Sequence, residues 1–218
     1  MKVLVPPQSG SHDGITASHN RFGQYLRTRA TPVNPRSSFQ GLARARLGLA
    51  SANWRALTDA QRAGWKDLGN QMTRTDSLGS TYTLQGNQAF VSINSANAAA
   101  GAAQVTDAPA LLTPASMLTA TITLTAASFS IAYTTTPLAT GVKLFTYVSP
   151  QGSPGKNFQS DMRLLAVSAA AAASPANVFA AYVARFGTPV VTNRIFVTLV
   201  QYLGGFLGAP FYTSQVVS

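Results

Sequence analysis

The chain has 218 residues, 46% of them apolar and only 10% charged, with a mean hydropathy of +0.11. That much apolar surface offsets the entropy of ordering and excludes a mainly disordered chain. The net charge is +10 and cysteine is absent, which excludes disulfides and thiolate metal sites.

The charge is unevenly placed. Residues 1–76 hold eleven Lys/Arg against four Asp, and the remainder five against two. A basic front half points to nucleic acid or an acidic protein surface as partner. Soluble domains usually carry roughly 25% charged residues. A surface this poor in charge is weakly protected against association and suits a chain that lives inside an assembly.

Residues 1–35 lack a sustained apolar period and are punctuated by proline and glycine, which predicts an extended basic arm with turns. Its opening "MKVLVPP" is too short for the apolar core of a secretory signal. The arm carries Arg21, Phe22, Tyr25, Arg27 and Arg29, with Arg36 just beyond. These are the candidate partner-binding residues, arginines for carboxylates or carbonyls and aromatics for pockets. A helical domain is expected over residues 36–97. Asn34-Pro35 opens its first helix, and Phe39, Leu42, Ala43, Leu47, Ala50, Trp54 and Leu57 form one apolar stripe. Arg44, Arg46 and Arg55 lie off that stripe and are candidate contacts to phosphate or to an acidic surface. "TDAQ", residues 58–61, matches a capping box and starts a second helix running to about Met72. The pair is expected to close as a helical hairpin through Trp54 and Trp65. "DSLGSTYTLQG" reads as a turn and short strand, and the segment from Asn87 as a short third helix burying Ala89, Phe90 and Ile93.

Residues 98–116 are Ala/Pro-rich without a period, and read as a linker. Beyond them the period changes to two. Leu118, Ala120, Ile122 and Leu124 alternate with threonines, and Phe129, Ile131 and Tyr133 continue. Residues 142–148, 162–167, 190–203 and 206–217 supply further short strands. The apolar run over 195–212 reads as two strands joined at Gly204-Gly205 and not as a membrane span. Residues 117–218 are therefore expected to be an antiparallel β-sandwich of immunoglobulin or fibronectin type. An inserted helix is capped at Ser174-Pro175, bears Phe179, Tyr182, Val183 and Phe186, and ends at Gly187. The predicted class is α+β, multi-domain.

Chemistry is hard to build from these residues. His12 and His19 are the two histidines, only Asp13 is near them, and a transition-metal site needs three or four convergent ligands. No two aspartates sit as a general-acid pair. "SPGKN", residues 153–157, lacks the first glycine and the Ser/Thr of a phosphate loop and reads as a β-turn. The expectation is a protein that is not an enzyme and takes no metal or cofactor.

"WRALTDAQRAGWKDLGN", from Trp54, resembles the junction of an HMG-box, although the chain then turns at residues 73–79 where that fold continues into a long basic helix. The wider pattern resembles a family of uncharacterised phage and prophage proteins. That family has an arm R-x-G-x-Y-x-R-x-R-x-x-P-V-N-P followed by W-x-x-L-T-x-x-Q-R-x-x-W. The matching positions are Gly23, Tyr25, Arg27, Arg29, Pro32, Val33, Asn34 and Pro35, then Trp54, Leu57, Thr58, Gln61, Arg62 and Trp65. The resemblance implies a virion component, assembled in the host cytoplasm. The expected role is a capsid-associated protein (minor capsid, decoration or cement) held by its basic arm to a major capsid or tail protein and to copies of itself. The alternatives are a nucleic-acid-binding protein using arm and hairpin, and a tail or baseplate protein. A carbohydrate- or host-surface-binding β-domain, using aromatics such as Phe145 and Tyr147, is a third reading, against which stands the preferred inward-facing core placement of these rings.

Overall fold

The structure is a computed structural model and describes residues 9–20, 23–31, 37–76, 78–117 and 119–218. It is α+β, with four helices and antiparallel sheets among the described residues. The chain divides into two compact units, residues 1–42 and 43–218.

The first unit contains strands β1 (Gly10–His12), β2 (Ile15–Asn20) and β3 (Gly23–Thr28), paired antiparallel in that order. The segment expected to be an extended arm with turns therefore folds back on itself twice. Asp13-Gly14 makes the first reversal, with Asp13 at φ 50°, a left-handed conformation that a short polar side chain tolerates. Register places Ala17 opposite Leu26 and Ile15 opposite Thr28. One face of this sheet groups Ile15, Ala17 and Leu26 with the polar His12, His19, Gln24 and Thr28, and the other carries Thr16, Ser18, Tyr25 and Arg27.

Helix α1 (Ser38–Ala56) begins at Ser37, whose Oγ accepts from the Gln40 amide at 3.3 Å. The predicted opening at Asn34-Pro35 lies outside the described residues. In α2 (Asp59–Gln71) the capping box is present in both directions. Gln61 N–H donates to Thr58 Oγ1 at 3.3 Å, and Thr58 N–H donates to Gln61 Oε1 at 3.0 Å. A hairpin follows, β4 (Thr73–Thr75) with β5 (Thr81–Thr83), where one turn and one strand were expected. Asp76 Oδ1 holds its turn by accepting from the amides of Leu78 and Ser80.

Helix α3 (Gly86–Ala99) forms in the segment expected and is central. Trp54 and Trp65 do not close a hairpin on each other; both rings pack on Phe90 of α3, at centroid distances of 5.6 and 5.1 Å. The physical reason is close approach. A Cβ on Gly86 would lie 2.9 Å from the Lys66 amide nitrogen, so α3 starts against the backbone of α2 and fills the gap between the tryptophans. Residues 98–116 are not a free linker. They run along the helical core, with Val105 bonded in both directions to the Asn94 side chain and Thr106 O accepting from Trp65 Nε1 at 2.7 Å.

Strands β6 (Thr119–Leu124), β7 (Phe129–Thr134) and β10 (Ala176–Asn177) form one sheet in the order β10-β7-β6. A second joins β8 (Lys143–Val148), β9 (Arg163–Val167), β11 (Arg194–Leu203), β12 (Phe206–Leu207) and β13 (Phe211–Val216). The alternation read from the sequence is realised. Ile122, Leu124, Phe129, Ile131, Leu144, Val148, Ile195, Val197 and Leu199 are buried in one shared cluster. Helix α4 (Phe179–Phe186) ends at Gly187 as expected but starts later than Ser174-Pro175. Those residues lead instead into β10, and Asn177 Oδ1 accepts from the Phe179 amide.

Gly204 and Gly205 join β11 to β12 with φ of 57° and 93°, the two-residue turn foreseen. A Cβ on Gly205 would stand 2.4 Å from Ile93 Cγ2 of α3. Gly205→Ala combines left-handed strain with overpacking, so its cost is expected to be about 2–4 kcal/mol. The urea midpoint followed by far-UV circular dichroism measures it; an unchanged midpoint contradicts the close contact.

Candidate functional site

The predicted site residues fall on two elements. Tyr25, Arg27 and Arg29 belong to or follow β3; Arg27 and Arg29 are exposed and Tyr25 is half-buried. Arg21, Phe22 and Arg36 lie outside the described residues. Arg44, Arg46 and Arg55 are exposed on α1.

Each element pairs its cations with uncovered apolar surface. In the β1–β3 sheet Ile15 is 51% and Leu26 38% exposed, and none of the described side chains of its strands is buried. Along α1 the stripe predicted to be core divides. Ala50 and Leu57 are buried and Trp54 is half-buried, whereas Phe39, Leu42 and Leu47 are more than half exposed, as is Leu49 beside them. The reason is length. Only the last two turns of α1 join the cluster built on Trp65, Phe90 and Ile93. The helix has no acidic residue, and basic residues ride on its surface.

The residues of the W-x-x-L-T-x-x-Q-R-x-x-W motif account for one another structurally. Thr58 and Gln61 cap α2, Leu57 and Trp65 are buried, and Trp54 leans on Phe90. Arg62 bonds Asp59 at 3.1 Å and the Arg55 carbonyl at 2.9 Å. This motif builds the α1–α2 junction. Beside it a cleft of about 570 Å³ opens between α2 and the start of α3, with Trp54, Arg62 and Lys66 on its walls.

Comparison with family models, curated proteins and solved structures found no match.

His12 lies 3.2 Å from Asp13 with both side chains solvent-exposed, and His19 is on β2. Among the described residues no group of three or more His, Asp or Glu converges to hold a metal. Residues 153–157 form a turn closed by Lys156 N–H donating to Ser153 O. Burial raises the phenol pKa of Tyr182, whose hydroxyl lies 3.5 Å from Ser149 O inside the β core. No described helix is long and apolar enough to cross a membrane. A second cleft lies on the five-stranded sheet, lined by Tyr147, Thr198 and Tyr212. Phe145, named beside Tyr147, takes the inward core position: it is 1% exposed and stacked on Tyr202.

The exposed leucines of α1 are not needed for folding. Leu47→Ser with Leu49→Ser should shift stability by no more than about 0.5 kcal/mol, while Leu68→Ala should cost about 2–5 kcal/mol. Thermal unfolding of the two variants checks the contrast.

Proposed function

We propose that this chain is a structural subunit of a bacteriophage particle, capsid-associated, that docks onto neighbouring subunits through its N-terminal basic segment. The observation that carries the reading is the β1–β3 sheet, which leaves Ile15 and Leu26 exposed on one face and has no described side chain buried. Three strands are stable when one apolar face is covered. In this reading an adjoining capsid subunit, or another copy of this chain, supplies the cover. Tyr25 and Arg27 lie on the opposite face, with Arg29 just beyond the strand, where a further neighbour brings carboxylates or carbonyls to the arginines and a pocket to the ring. The exposed apolar residues of α1 and the low charge density support the same role, as does the likeness of the arm and helix motifs to phage proteins. The chain is read as non-enzymatic. Residues 117–218 are read as a β-sandwich module of immunoglobulin or fibronectin type, supported by the apolar cluster that the two sheets share.

Hydrogen exchange on the full chain tests this. Residues 10–28 should exchange freely in the isolated protein and become protected in purified particles, where mass spectrometry should find the chain in many copies. Full protection in the solitary protein, or absence from the particle, overturns the proposal. Nucleic acid is the second reading, favoured by the exposed Arg27, Arg29, Arg44 and Arg46. It requires retention on a DNA column that weakens linearly in log–log salt dependence.

A further inference from the structure

The outer face of the five-stranded sheet is only half covered. At one end Phe145, Val200 and Tyr202 are buried beneath Ala96, Ala99 and Ala100 of α3. At the other end register puts Tyr147, Thr198 and Tyr212 side by side on β8, β11 and β13. The two tyrosines are separated by two strand spacings, about 9.5 Å. Thr198 is buried between them, Tyr147 is half-buried and Tyr212 is 61% exposed. The cleft over this row has a volume of about 560 Å³. Gln159 and Arg74 stand at its edge, with Met162 and Leu207 completing the apolar part.

We propose that this cleft binds an acidic sugar, a pyranose bearing a carboxylate. Three features select that chemistry. Tyrosine rings offer flat apolar faces to the C–H side of a pyranose and hydroxyls to its polar edge. Gln159 Oε1 lies 3.4 Å from Thr198 Oγ1, so its amide N–H₂ is available to donate to a sugar hydroxyl. Arg74 is the only charged residue lining the cleft and has no carboxylate partner among the described residues. Its fork matches a ligand carboxylate in charge and geometry. A nucleic acid strand would want several cations here, and one is present.

The test uses the full chain and two probes, trigalacturonate and neutral galactotriose, at physiological salt. Amide NMR shifts should appear at Thr198, Val200 and Tyr212 with either sugar, the acidic one binding about tenfold tighter. Tyr212→Ala, which leaves the net charge unchanged, should weaken both about tenfold. Arg74→Gln should remove the preference for the acid while sparing the neutral sugar. No shifts at these amides with either sugar overturns the proposal. So does an affinity left unchanged by Tyr212→Ala, which would trace binding to the basic surface alone. An acidic peptide that moves these amides where neither sugar does would assign the cleft to a protein partner and likewise overturn it.

Discussion

The join between the helical core and the five-stranded sheet in residues 43–218 rests on burying α3 from two directions. The helix has fourteen residues and no charge, and seven of them are buried while Asn87, Gln88 and Ala98 stay exposed. Its Ala89, Phe90 and Ile93 belong to the tryptophan cluster, and its Ala96 and Ala100 to the sheet. Alanine lets the sheet come close, and the two buried asparagines satisfy what the approach would strand. Asn94 bonds the backbone of Val105 twice, and Asn97 Oδ1 accepts from Tyr202 O–H at 2.6 Å. Losing either would leave buried polar groups unpaired, at roughly 1–3 kcal/mol each. The helix thereby fixes both the course of residues 98–116 and the point at which the sheet face emerges into solvent.

The few acidic groups are largely spent on local structure. Asp59 holds Arg62, Asp76 ties a turn, and Asp107 accepts from Gln61 Nε2 at 3.1 Å. Asp13 lies beside His12. None of these four meets Arg27, Arg46 or Arg55 in an ion pair among the described residues. The excess positive charge is left facing outward, beside apolar groups that the described fold does not cover. Such surfaces suit partners that bring both carboxylates and an apolar pocket, which is why a neighbouring protein is favoured over a bare polyanion.

Local rules carried far in this sequence. The Thr58 capping box, the Gly204-Gly205 turn, the alternation of Ile122 to Tyr133 and the stop at Gly187 are each set within a few residues, and each was legible. What failed needed distant information. The α1 stripe was correct as a period, but the periodicity carries no sign that α3 meets only its last turns. Trp54 and Trp65 invited a direct contact because Phe90 comes from 25 residues further on. Pairing in β1–β3 had a usable signal in Asp13-Gly14, obscured by the prolines around it. The Tyr147–Thr198–Tyr212 row had none, because it exists only once three separated strands take their register. Of the candidate contact residues, Arg27 and Arg29 with Arg44, Arg46 and Arg55 stand exposed as the sequence suggested, on two separate elements.

Trp54 and Trp65 are the chain's only tryptophans, and both touch the same phenylalanine. Intrinsic fluorescence therefore watches the seating of α3 and sees little of the β part, whose aromatics are phenylalanine and tyrosine. Trp65 is fully buried with its indole N–H bonded, while Trp54 is half open to quenchers. Emission colour and quenching by acrylamide thus separate the inner and outer sides of that helical junction. Any partner settling near Trp54 should reveal itself optically without a label.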